Sequence, residues 1–316
     1  MAKPRRLSRF RGIARGPVLS CALAAALPAC GPHPAPKPAS DFLSPAPAAS
    51  AERQRPLGIG APAGTDTCEA GLAEAAQRNL EGLRQLTFVL FGRVETGWEY
   101  YAPLTAHEIG TQCGAATPAF ASRLGAWQSS RGLGQSGLMD EATFAAMKAE
   151  WEKRRPFVAA SMHACPSPPP ESSLAVVPAD DSYGGKTMLL RPAALAAYGR
   201  MLAAARAEAP GVKSDPRLMT LFSAYRSPEA DAARCAVDQN CQGVVRATCS
   251  AHRTGLAVDL YLGAAPGRLP DSSDDANRLY ISRGVAYRWM VVNAGRFGFA
   301  PYPFEPWHWE WTGEPI

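Results

Sequence analysis

The chain has 316 residues, enough for two domains, with 33 lysines and arginines against 28 acidic residues. The net charge of +5 is concentrated at one end: Lys3, Arg5, Arg6, Arg9, Arg11 and Arg15 lie in residues 1–29, which carry no acid, and without those six the balance is −1. A near-neutral remainder offers no electrostatic basis for binding nucleic acid, which excludes that class of partner.

The basic start runs into PVLSCALAAALPAC, an apolar run too short for a comfortable membrane span and of the right length for the core of a signal peptide. Residues 1–30 are therefore expected to direct export, to the periplasm or cell envelope. LPAC at Leu27 to Cys30 resembles the bacterial lipobox, with Pro28 an uncommon occupant; the resemblance implies lipidation of Cys30 and a membrane tether, with ordinary cleavage near Ala29 as the alternative. Residues 31–66 are rich in Pro and Ala and poor in large apolar side chains, the composition of an extended tether and not of a core.

Residues 67–155 form a first block with helical spacing in GLAEAAQRNLEGLRQLTFVLF, TPAFASRLGAWQ and DEATFAAMKAEW. Within it, Trp127 and Gln128, Gly132 and Leu133, Gly137 with Asp140, and Thr143 follow one another in an order that resembles the repeat of peptidoglycan-binding domains. An unrelated helical bundle is the other reading of so short a pattern. The Pro-rich stretch CPSPPPESS marks 156–173 as a linker. Residues 174–316 open with the helical run RPAALAAYGRMLAAARAEA and turn to short strands, LMTLFSAYR and GLAVDLYLG. The fold class is α+β: a small helical N-terminal domain, then an α+β domain with a short antiparallel sheet.

Beyond Cys21 and Cys30, six cysteines remain, and an even number in an exported chain favours disulfides. Cys235 and Cys241 enclose a short polar loop and are the expected pair, and Cys68 with Cys113 is a candidate staple for the helical block. No spacing matches a CxxC zinc pair.

The chemistry is concentrated in CSAHRTGLAVDLYLG and YPFEPWHWEWTG. On a strand, Ala257, Asp259 and Tyr261 point one way while Leu256, Val258, Leu260 and Leu262 point to the core. Asp259 is thus a carboxylate in an apolar strand and requires a positive partner. His252 stands before Gly255, a residue that can turn the chain back toward the strand. A histidine and an aspartate brought together suit Zn²⁺. In the tail, Trp307, Trp309 and Trp311 alternate with His308 and Glu310, so the last two share a face. Alone, His308 reads as a packed core histidine; beside His252 and Asp259 it becomes the third ligand, leaving a fourth position open, with one zinc per chain. Glu305 precedes Pro306 and is extended, so the chain must bend there if Glu305 is to act as a base beside the metal.

SAHRTGLAVD and EPWHWEW, with SAYRS upstream, resemble the peptidase M15 family of zinc D-alanyl-D-alanine carboxypeptidases and dipeptidases, VanY type. Ser250, His252, Gly255, Ala257 and Asp259 match SxHxxGxAxD, and Glu305, Trp307 and His308 match ExWH. The resemblance covers the last 140 residues or so and implies zinc on His252, Asp259 and His308, Glu305 as catalytic base, and Arg226 stabilising charge on the carbonyl oxygen. It further implies substrate contacts from Ser223, Tyr225, Ser250 and Trp307, with Ser250 equally able to cap a turn. The substrates implied are peptidoglycan stem peptides. Asp231 stands where many relatives have glutamine, and Ala251 departs from the SEH form; both bear on specificity more than on metal. An endopeptidase on the same scaffold and a noncatalytic wall-binding protein are the competing functions. Glu305 and Arg226 argue against the latter, since a structural metal site needs neither. Nothing in the sequence sets an oligomeric state.

Overall fold

The computed structural model describes residues 67–162, 164–238, 241 and 248–316. The expected signal peptide, the Cys30 lipid site and the Pro/Ala tether lie outside the described residues. All described residues fall within the compact unit Gln54–Ile316. The fold is α+β, as expected.

Helix α1 (Ala73–Gln85) leads into a hairpin, β1 (Thr87–Leu90) and β2 (Arg93–Thr96). Helical spacing had carried on through TFVLF, and here the structure differs. Thr87 to Leu90 alternate exposed and buried, and Phe91 and Gly92 both have positive φ, the two-residue turn that closes Leu90 against Arg93. After α2 (Ala102–Glu108), helix α3 (Pro118–Ser130) starts on a Thr117 cap with Pro118 in its first turn, and α4 (Glu141–Lys153) on an Asp140 cap.

The motif residues of this block hold one another. Gln128 donates to the Leu138 carbonyl at 2.8 Å and to Thr143 Oγ1 at 2.9 Å, and accepts from the Gly137 amide at 2.8 Å. Gly137 has φ +68°, and a Cβ there would lie 2.5 Å from the Ala121 carbonyl oxygen, so only glycine fits. Cys68 and Cys113 are joined by a disulfide, as expected.

Helix α5 (Pro156–Ser161) follows directly, then the short pair β3 (Ala175–Val176) and β4 (Leu189–Leu190), and α6 (Pro192–Glu208) with α7 (Pro210–Ser214). The central sheet is built from β5 (Leu221–Ser223), β6 (Ala257–Leu260), β7 (Phe299–Pro301) and β8 (His308–Trp311), antiparallel throughout, in the order β5-β6-β8-β7. Helix α8 (Pro228–Asp238) lies between β5 and β6 in sequence, and α9 (Asp275–Arg283) and α10 (Val285–Asn293) between β6 and β7. One face of the sheet sends Leu221, Leu260, Val258 and Trp309 into the core. That cluster is continuous from Phe88, Phe120 and Phe144 of the first block to Trp309 and Trp311 of the last strand.

Buried charge also joins the two blocks. Arg278 of α9 is fully buried and reaches Glu95 of β2 at 3.2 Å and the Tyr101 hydroxyl at 2.7 Å. Glu95 also accepts from Tyr100 at 2.6 Å and Tyr101 at 2.9 Å, so both oxygens of the carboxylate are satisfied.

The expected pairing of Cys235 with Cys241 is not made. Helix α8 takes Cys235 to its buried side, and the two cysteines are not bonded to each other. The second described disulfide instead links Cys165 to Cys249, 84 residues apart, next to the functional segment. Sequence proximity favoured the local ring; tertiary packing placed a distant partner beside Cys249.

Candidate metal centre

Register assembles the site. Ser223 pairs with Asp259 across β5 and β6, after a register shift, and Asp259 pairs with His308 across β6 and β8, so three polar side chains stand in a row on the face opposite the core. Ala257 pairs with Glu310, one step along the same face.

His252 arrives from a short 3₁₀ turn, Ala251–Thr254, which Ser250 caps by accepting from the His252 amide at 3.3 Å. Gly255, at φ +71°, ends the turn in the left-handed conformation and sends the chain into β6. Glu305 arrives through a bend at Pro306: the Glu305 carbonyl accepts from the His308 amide at 2.9 Å, a turn that puts positions 305 and 308 on one side. The expected bend is therefore present.

The donor atoms of His252, Asp259 and His308 all lie within 4.8 Å of one another, and all three residues are buried. The His252 Nδ1 faces the Ala224 carbonyl oxygen at 2.7 Å, a contact that requires a proton on Nδ1 and leaves a lone pair on Nε2. That lone pair lies 3.1 Å from Asp259 Oδ2. Two acceptors so close repel unless a proton or a metal ion is shared between them, and a bound metal meets that condition. On the other side, His308 Nδ1 lies 2.9 Å from Asp259 Oδ1 and 4.0 Å from Glu305 Oε2. The donor set fits a metal ion: two imidazole nitrogens and one carboxylate, converging at the wall of a cleft of about 240 Å³.

Electrostatics divide the groups. Burial, aided by the Arg226 charge, lowers His252 to about 4, which keeps its ring neutral. Burial opposes charge on Asp259, but its close contacts with the imidazoles, of which His308 is the charged one, overcome this and hold the carboxyl well below its usual range. Burial likewise opposes charge on His308, and contacts with Asp259 and Glu310 reverse this to lift it to about 9. Burial raises Glu305 to about 7, poised between acid and base.

Arg226 is clamped from three sides. It donates to Asp231 at 2.9 Å, Ser223 at 2.7 Å and Ser250 at 3.1 Å, with its guanidinium 3.8 Å from Asp259. Ser223 and Ser250 thus meet the arginine. Tyr225 is half-buried in an adjoining groove, and Trp307 is packed in the core with an edge on the cleft.

Three residues at the site were not singled out from sequence as site residues. Glu310 lies behind His308, and Arg155, from the chain between α4 and α5, binds Glu310 with contacts of 2.6 and 2.7 Å. Tyr302 carries the Arg155 guanidinium 4.0 Å above its ring. The shared face of His308 and Glu310 was a signal for the first; Arg155, 155 residues away in sequence from Glu310, had none.

No family model and no curated protein matches the chain. A solved structure with some likeness is that of DacB from Streptococcus pneumoniae D39, 17% identical, aligned over 47% of this chain and 86% of that one, with a TM-score of 0.27.

Proposed function

We propose that this chain is an exported zinc peptidase of the bacterial cell wall, a D-alanyl-D-alanine carboxypeptidase that removes the terminal D-alanine of peptidoglycan stem peptides. The observation that carries the reading is the convergence of buried His252, Asp259 and His308 at a cleft wall, with the Glu305 carboxylate 4.0 Å from His308 and the Arg226 guanidinium 3.8 Å from Asp259. A structural metal site has use for neither of the last two groups, while a hydrolytic site needs both. The motifs SAHRTGLAVD and EPWHWEW supply the substrate class.

Two imidazoles and a carboxylate are a donor set of catalytic zinc, which when bound supplies the Lewis acidity that activates water and polarises a scissile carbonyl. Glu305, brought to the site by the turn at Pro306, accepts the proton of the attacking water and delivers it to the leaving amine; its elevated position near 7 suits both transfers. Arg226, held in one orientation by Ser223, Ser250 and Asp231, presents a fixed cation to the developing oxyanion. Export through residues 1–30, with Cys30 as a lipid anchor, would place the enzyme beside its substrate, and residues 67–155 would add affinity for the wall.

A second reading, an endopeptidase, is favoured by one feature. A further groove lined by Lys186, Met188, Phe222 and Tyr225 shares Arg226, Arg234, Asp259 and Asp271 with the first cleft, so the surface depression continues past the metal centre. Digestion of purified muropeptides, with products weighed by mass spectrometry, separates the two. The carboxypeptidase shortens a pentapeptide stem ending in D-Ala-D-Ala by one alanine, loses activity when that C-terminus is amidated, and is not inhibited by penicillin, having no serine nucleophile. Cleavage of a cross-linked dimer with the free pentapeptide left intact would transfer the assignment to the endopeptidase.

A further inference from the structure

His308 carries an unusual feature on the side away from the cleft. Its Nε2 is buried and makes no hydrogen bond among the described residues, where Glu310 Oε1 faces it at 3.5 Å. An imidazole that offers Nδ1 to a metal must keep its proton on Nε2, and a buried Nε2–H needs an acceptor from the protein. Glu310 is itself fixed. Arg155 meets Oε1 with two nitrogens, at 2.6 and 2.7 Å, and the Phe157 amide donates to Oε2 at 3.0 Å. Arg155 lies in turn over the Tyr302 ring, whose centroid is 5.8 Å from that of His308.

We propose that Glu310 and Arg155 are positioning residues for the metal: Glu310 accepts the Nε2 proton of His308 and orients the ring, and Arg155, contributed by the chain immediately after α4, sets Glu310. The helical block is on this account a working part of the metal centre and not a detachable anchor. The inference rests on the metal reading above. Glu310 is not among the residues that line the cleft, so its part is to set ring orientation and basicity, whereas Arg155 also borders the cleft.

The test is the affinity of the full chain for Zn²⁺ alone, measured by competition with a chromophoric chelator, together with the visible spectrum of the Co²⁺-loaded protein. Glu310→Gln and Arg155→Met should weaken zinc binding by roughly 10- to 100-fold and alter the Co²⁺ bands. Glu95→Gln, which disturbs a different buried ion pair between the same two blocks, should leave both unchanged, whereas a merely structural role predicts equal losses in all three. Wild-type affinity in folded Glu310→Gln and Arg155→Met, or an equal loss in Glu95→Gln, overturns the proposal. Should neither of the first two variants fold, Arg155→Lys decides: it keeps the charge but not the two-nitrogen contact, and should weaken zinc several-fold, unchanged affinity being the overturning result. A wild-type chain that binds no zinc would instead remove the metal reading itself, so the two failures are distinguishable.

Discussion

Replacing Arg226 by methionine separates two effects that a simple loss of activity would confuse. The first is catalytic. On the proposed function, with the guanidinium fixed by Asp231, Ser223 and Ser250, removal of a preorganised oxyanion partner should cost ~10²–10³-fold in kcat, about 2.7–4 kcal/mol of transition-state stabilisation. The second is structural. Asp231 is 2% exposed at its side chain, and one of its oxygens already lacks a hydrogen-bond partner among the described residues, so losing Arg226 strands a buried carboxylate. Breaking a buried pair in this way costs about 3–5 kcal/mol, and the 18% exposure of Arg226 places the present case at the lower end. Because the two costs are of similar size, the single variant cannot decide between them. Arg226→Met/Asp231→Asn removes the stranded charge and should recover most of the stability, measured by denaturant unfolding, while leaving kcat low and zinc content full. Recovery of kcat in the double variant would refute the reasoning, since it would mean that Arg226 serves only to neutralise Asp231.

His308→Ala should lose bound zinc in elemental analysis, and full zinc in that variant would contradict the ligand assignment; Glu305→Gln should keep metal and fold and lose most turnover, because the base is not a ligand. Arg278→Met should destabilise the fold by about 3–5 kcal/mol, since Glu95 would keep two tyrosine donors but lose its only buried countercharge among the described residues, and thermal unfolding indistinguishable from wild type would exclude that role.

Backbone geometry that lies within a single short segment was legible in the sequence. A strand that alternates aliphatic side chains with Asp259, a glycine three residues after His252 and a proline directly after Glu305 are local rules of backbone geometry, and each produced the turn or face expected of it. The disulfide of Cys68 with Cys113 was equally accessible. What required the folded chain was everything set by register and long-range packing. The row Ser223, Asp259, His308 exists because three strands align at one register, and a one-residue slip would turn His308 into the core. Cys249 finds Cys165 and not a neighbour, and TFVL becomes a strand because a hairpin turn and a buried Phe88 outweigh the helical spacing that precedes it. Most of all, the sequence named the residues of the candidate site, whereas tertiary structure decided what holds them. Arg226 takes its orientation from Asp231 and two serines, and His308 is backed by Glu310 and Arg155, because buried charges are satisfied by whichever partner the fold brings near, at any distance along the chain.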